Sequence, residues 1–99
     1  MHSHSYSGRT SYNNGHWHYY RGMTSNNPDV PGHIHYIAGY TSLDDGHAHG
    51  YRSATGPAIY IGGKHYHVYR GITEVARRHT HNYDGRTSYY YGMYYKTPP

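Results

Sequence analysis

Along most of the chain, residues of like character recur at every second position. The recurring face is polar and aromatic rather than aliphatic. Its unit is His-x-His-x-Tyr-x-Gly-x-Thr, seen first as His2, His4, Tyr6, Gly8 and Thr10 and next as His16, His18, Tyr20, Gly22 and Thr24. The third copy has His33, His35, Ile37, Gly39 and Thr41, and the fourth His47, His49, Tyr51, Ser53 and Thr55. The fifth is His65, His67, Tyr69, Gly71 and Thr73, and the sixth His79, His81, Tyr83, Gly85 and Thr87. All 12 histidines fall in these six pairs. Only a β-strand gathers residues of period two on one face. The intervening residues, such as Ser3, Ser5 and Ser7 or Trp17, Tyr19 and Arg21, vary on the other face.

The His pairs begin at residues 2, 16, 33, 47, 65 and 79. Short and long separations alternate, which defines a repeat of about 31–32 residues, two units each, present three times. We place one repeat domain over 1–99, with repeats at about 2–32, 33–64 and 65–99. The short connections Asn13-Asn14-Gly15 and Asp44-Asp45-Gly46 suit a three-residue hairpin loop with glycine in the left-handed position. Ala76-Arg77-Arg78 lacks that glycine. A three-residue loop sets Thr10 opposite His18, Gly8 opposite Tyr20, Tyr6 opposite Gly22 and His4 opposite Thr24. A two-residue loop would turn the two His faces to opposite sides. The same rule sets Gly39 against Tyr51, Gly71 against Tyr83 and Tyr69 against Gly85. An aromatic ring over a strand glycine covers bare backbone and offsets its poor strand propensity.

The predicted fold is therefore all-β: three tandem β-hairpins in an open-edged sheet or sandwich, able to stack into a cross-β filament through their edges. The alternative is a β-solenoid, in which His2, His33 and His65 would stack in a ladder about 4.8 Å apart. The aromatic stretch 89–95 predicts one further strand, pairing either with another chain or within its own subunit.

Composition agrees with strands. Leucine occurs once and phenylalanine never, whereas there are 16 tyrosines and 13 glycines. Too little aliphatic or helix-forming material is present for a helical core. No cysteine excludes disulfides and thiolate chemistry. No apolar run approaches membrane-span length, and the first residues lack the apolar core of a signal peptide. Protonating every histidine would raise the formal charge from +4 to +16. Free histidine titrates near pH ~6.5, so mild acid should load the repeated face with charge.

Residues i and i+2 of a strand place both imidazoles on one side, where they can converge on one ion. Imidazole without thiolate suits copper, zinc or nickel, and intrinsic affinity favours copper with zinc next. A lone His-x-His would more often be a structural, hydrogen-bonded pair. Six copies with no stray histidine favour metal, so the candidate ligands are His2, His4, His16, His18, His33, His35, His47, His49, His65, His67, His79 and His81. Catalytic signals are absent. The acids Asp29, Asp44, Asp45, Glu74 and Asp84 form no repeated constellation, and an active site is normally built once from unlike residues. We expect no enzyme. Arg21, Arg52 and Arg70 share a position on the variable face, where tyrosine and arginine could stack bases. The modest net charge and missing motifs disfavour nucleic acid.

The tandem units continue into Thr-Ser and are joined by Gly-His-x-His, as at Thr10-Ser11, Gly15-His16, Thr41-Ser42, Gly46-His47 and Thr87-Ser88. In this the chain resembles the YmaF family of small bacterial proteins over nearly its whole length. The resemblance implies a bacterial, often Gram-positive, origin and carries over no site residues.

From the sequence we expect a self-assembling structural protein, a β-rich extracellular filament or layer in which His-x-His pairs coordinate metal. Its partners would be copies of itself, joined through β-edges, and metal ions. The favoured location is extracellular or at the cell surface, with the cytoplasm or the spore as alternatives. One alternative function is a soluble metal-binding or metal-buffering module without polymerisation. A second is a nucleic-acid or surface-polymer binding module.

Overall fold

The computed structural model of the chain describes residues 1–91. Among the described residues there are strands and turns without helix, and so no helix long and apolar enough to cross a membrane. Three hairpins form the body: β1 (Ser5–Arg9) with β2 (Tyr19–Met23), β3 (Tyr36–Tyr40) with β4 (Gly50–Ala54), and β7 (Val68–Ile72) with β8 (Asn82–Arg86). A small sheet of β5 (Ile59–Ile61), β6 (Lys64–Tyr66) and β9 (Tyr90–Tyr91) completes it. All pairings are antiparallel, and none of the sheets closes into a barrel.

The register follows from the period-two pattern. Tyr6 pairs with Gly22 and Gly8 with Tyr20, and the third hairpin repeats this with Tyr69–Gly85 and Gly71–Tyr83. In the second hairpin Gly39 pairs with Tyr51, but the other pair is Ile37 with Ser53. The two departures from the unit therefore face one another. Where no tyrosine ring crosses the strand, no glycine is required, and Ser53 instead accepts a hydrogen bond from the Tyr83 hydroxyl at 3.1 Å.

The turns are one residue shorter than the sequence suggests. Bridges join Asn13 to His16, Asp44 to His47 and Ala76 to His79. The two residues between are left-handed in each case: Asn14 and Gly15, Asp45 and Gly46, Arg77 and Arg78. The histidine faces stay on one side because an extra residue is taken up just before each turn, between Thr10 and Asn13 in the first hairpin. That irregularity, a bulge in effect, also redirects the chain. Beyond Thr10, which still bonds to the His18 carbonyl, the Ser11 amide leaves its own hairpin and donates to Asn82 of the third.

Such crossings join the hairpins in a cycle. Ser42 donates to Tyr19 and Ser25 to Tyr36, linking the first and second hairpins. Glu74 donates to Gly50 and Gly56 to Val68, linking the second and third. Ser11 donates to Asn82 and Ser88 to Ser5, linking the third and first. Each seam is thus pinned once near each end. The hairpins surround an axis in approximate three-fold array, with their repeated faces turned inward. His2, His33 and His65 consequently meet around that axis instead of stacking along a solenoid edge.

Inside, the layers follow the order of the unit. Tyr6, Tyr20, Ile37, Tyr51, Tyr69 and Tyr83 form the buried middle. Their hydroxyls are partnered: Tyr6 with Tyr51 at 2.8 Å, and Tyr20 with Tyr69 at 3.1 Å. Arg21, Arg52 and Arg70 lie on the exposed outer face. Of the predicted C-terminal strand, Tyr90–Tyr91 pairs with β6 of the same chain. Residues 92–95 lie outside the described residues.

Candidate metal centres

The twelve histidines sort into two groups of six, one at each end of the tyrosine layer. His2, His4, His33, His35, His65 and His67 meet where the hairpins are connected to one another. His16, His18, His47, His49, His79 and His81 meet at the hairpin turns. Within each group the ligand nitrogens all lie within 4.8 Å of one another. All twelve sequence-predicted candidates lie in one group or the other, and each hairpin contributes one His-x-His pair to each end.

The rest of the unit holds these rings in place. The histidine and threonine positions of the repeat are tied together by hydrogen bonds. The threonine hydroxyl accepts the amide of the second histidine of the facing unit, as Thr24 does from His4 at 2.9 Å and Thr10 from His18 at 3.0 Å. It donates in turn to the carbonyl of the next residue, Ser25 or Ser11. That same carbonyl then receives the Nδ1–H of a histidine from the neighbouring hairpin: Ser25 from His35, Ser11 from His81, Ser42 from His18, Ser88 from His4. Gly56 and Glu74, which replace the serine, keep the carbonyl and serve His67 and His49. Histidines at the first position bond to loop carbonyls instead: His16 to Asn14, His47 to Asp45, His79 to Arg77 and His33 to Val30.

A carbonyl oxygen can only accept. Nδ1 therefore carries the proton in these ten rings, and Nε2 carries an unprotonated lone pair. At the turn end all six rings are held this way. Their Nε2 atoms nonetheless stand close, with His47 3.2 Å from His79, and His16 3.3 Å from both His79 and His81. No proton lies between them, so these are lone pairs facing lone pairs. At the connection end His2–His65 and His33–His65 are 3.1 Å apart, and His33–His67 3.2 Å. Nε2 of His4 and of His18 is buried without any hydrogen-bond partner. Pinned Nδ1 atoms, inward lone pairs and carbonyl partners are the arrangement by which proteins orient imidazole ligands toward a metal.

Ring packing gives each cluster a definite shape. Every imidazole lies edge-on against all the others of its cluster except one, and the exceptions pair up. At the connection end the non-touching pairs are His2 with His67, His4 with His33, and His35 with His65. At the turn end they are His16 with His49, His18 with His79, and His47 with His81.

Burial favours the neutral form of eight of the imidazoles. Desolvation, reinforced by neighbouring imidazoles, lowers the pKa of His2 and His67 to about 3. It lowers His4 to about 4, although the bond to the Ser88 carbonyl partly opposes it. His18, His35, His49, His65 and His81 are also held below the ordinary value, chiefly by burial. Neutral imidazole is the metal-binding form.

The two ends differ in cover. At the connection end all six histidines are buried, and the Tyr90 ring lies over His2 at 4.4 Å while Tyr60 packs on His65 at 5.4 Å. At the turn end His16 and His79 are only half-buried. Carboxylates approach three Nδ1 atoms: Asp45 near His16 at 3.4 Å, Asp44 near His18 at 3.5 Å and Asp29 near His33 at 3.8 Å. Sequence reasoning missed these carboxylates, the carbonyls after threonine and the tyrosine cover. Only the carbonyls left a trace, in the recurring Thr-Ser step.

Among known proteins, the family model YmaF, described as spore germination protein GerY/YamF, matches residues 1–56. No curated protein and no solved structure matches the chain. The matched part contains the first four His pairs, more than half of the sequence, and the remainder repeats the same unit: this chain belongs to the YmaF family.

Proposed function

We propose that this protein is a metal-binding module holding two divalent transition-metal ions per chain, one at each end of the tyrosine layer. One observation carries the reading. At the turn end six histidines present unprotonated Nε2 atoms to a common point while their Nδ1–H groups are committed to carbonyls. Facing lone pairs repel; a cation between them turns that repulsion into six bonds. A hydrogen-bonded histidine core, the bland alternative, would place a proton between neighbouring nitrogens, and none is available there. An ion held by six side chains keeps no open position for water or substrate, so the role is storage, buffering or structural support rather than catalysis. The family description supports a setting in the spore.

Self-assembly is a second reading, with a specific observation behind it. Tyr12, Leu43 and Val75 occupy equivalent positions beside the three turns and are all strongly exposed. A ring of apolar side chains at one end favours end-to-end stacking of copies over strand-to-strand joining, and an extracellular or surface layer would grow along that axis. Metal need not bridge subunits, because one chain supplies all six ligands at each end.

The test is metal analysis of the purified chain after loading at neutral pH and desalting. The expected content is about two ions per chain, falling to about one when His18 and His49 are both replaced by alanine. Retention of less than one ion per chain by the unaltered protein refutes the reading. Sedimentation of the same sample reports on end-to-end assembly.

A further inference from the structure

We infer that both centres are shaped for an octahedral divalent ion of the manganese-to-nickel series, and that copper and zinc fit them less well. This rests on the reading that the clusters bind metal. It departs from the copper preference that the sequence alone supports.

Connectivity comes first. In an octahedron each vertex neighbours every other vertex except the one opposite. That is the pattern of the imidazoles at both ends, with His2 opposite His67, His4 opposite His33 and His35 opposite His65 at one of them. A trigonal prism would leave each ring two non-neighbours, and a tetrahedral site would leave two rings out of contact with the rest. The hairpin array explains the outcome. One triangle of first-position histidines faces one triangle of second-position histidines, and the two are staggered.

Size comes second. The short Nε2–Nε2 separations are 3.1–3.3 Å. An octahedral edge is √2 times the distance from centre to vertex, so a regular octahedron with these edges has its centre about 2.2–2.3 Å from its vertices. Half the 4.8 Å limit on the longest separation gives about 2.4 Å, close to the same radius. Zinc prefers four ligands with Zn–N at about 2.0–2.1 Å. Copper(II) prefers a tetragonal set, with ligands in one plane drawn in. Either would have to pull some nitrogens inward and release others.

The cage resists that movement. Ten of the twelve rings are tied at Nδ1 to backbone carbonyls at 2.7–3.1 Å, so contracting the site stretches those bonds. Manganese(II), iron(II), cobalt(II) and nickel(II) accept six equal nitrogens without distortion. Intrinsic affinity rises along that series, so nickel(II) should be held most tightly and manganese(II) least.

The experiment loads the full chain with cobalt(II), desalts it and records metal content and visible absorption. The expected result is retained cobalt(II) with weak bands at shorter wavelength than those of the aqua ion, the signature of six nitrogen donors. One equivalent of zinc(II) per site should displace little of it. Intense tetrahedral bands, or stoichiometric displacement by zinc(II), would overturn the inference while leaving the metal-binding function intact. A protein that retains neither cobalt(II), nickel(II) nor zinc(II) overturns both.

Discussion

Replacing Gly8 by alanine tests the central packing rule of this fold, the tyrosine laid across a facing glycine. The new methyl group would lie 2.5 Å from the Tyr20 hydroxyl oxygen and 2.9 Å from Cζ, well inside van der Waals contact. The backbone itself does not object, because Gly8 is not among the residues with positive φ. Alanine would even stabilise by about 0.4–1 kcal/mol through the unfolded chain. The ring decides the sign. Tyr20 is buried, its hydroxyl sits 3.1 Å from that of Tyr69, and it lies against other core tyrosines. It cannot step aside without disturbing them, and overpacking of this kind costs about 1–3 kcal/mol. We expect a net loss of about 1–2 kcal/mol.

Urea denaturation of metal-free protein at neutral pH, followed by Trp17 fluorescence and far-ultraviolet circular dichroism, measures it. Tyr20→Phe removes the nearest clashing atom at the cost of the hydroxyl's bonds to Tyr69 and to the Asp84 carbonyl, about 1–2 kcal/mol together. The double variant should therefore lose less than the sum of the two single variants, by about 0.5 kcal/mol or more. Position 53 is the internal control. Ser53 already stands opposite Ile37, so Ser53→Ala should cost only its bond from Tyr83. The reasoning fails if Gly8→Ala leaves the midpoint unchanged or raises it, or if its effect adds simply to that of Tyr20→Phe.

Acid should unfold the metal-free protein. His2 and His67 are lowered to about 3 and His4 to about 4, mainly by burial. The unfolded chain titrates near pH ~6.5, so below that it binds more protons than the fold. Stability is full above about pH 6.5 and falls by about 1.4 kcal/mol per pH unit for each imidazole kept neutral; a flat urea midpoint from pH 7 to 5 contradicts this. Thr24→Val should cost about 1–3 kcal/mol by leaving the His4 amide without its 2.9 Å partner, whereas Thr24→Ser should restore most of the midpoint. Metal release to a chelator should be biphasic, with the half-buried turn end emptying first. Tyr90→Ala, which uncovers His2, should speed the slow phase alone; an unaltered slow phase counts against the tyrosine cover.

Much of this fold was legible because period two admits few interpretations. The pairing of Tyr6 with Gly22 and of Gly8 with Tyr20 follows from the pattern, and the structure has it. The turn did not follow. Asn14-Gly15 and Asp45-Gly46 suit a two-residue turn as well as a longer one, and Arg77-Arg78 adopts the same left-handed pair without glycine. The extra residue that keeps the register sits at Ser11–Tyr12, where the sequence carries no bulge signal. Its role is tertiary. It frees the Ser11 amide to reach Asn82, seventy-one residues away.

The candidate site shows the same division. The clustered histidines could be named from the sequence because a strand puts i and i+2 on one side, but two imidazoles do not specify how many others they meet. That number is set by closure. Each hairpin brings one His-x-His pair to each end, and the Thr-Ser step carries the chain across the seam, so three hairpins gather six imidazoles rather than a string of isolated pairs. On the proposed metal-binding role, coordination number is therefore a property of repeat number. Residues 1–56, the part shared most plainly with the family, supply four imidazoles at each end, and His65, His67, His79 and His81 raise both to six. Four imidazoles on two hairpins would leave a cleft open to solvent, which a four-coordinate ion could contract. The third hairpin closes the cycle back onto Ser5 and Ser11 and fixes the span of the cluster, so that the ion the proposed centre would prefer depends on bonds between the most distant parts of the chain.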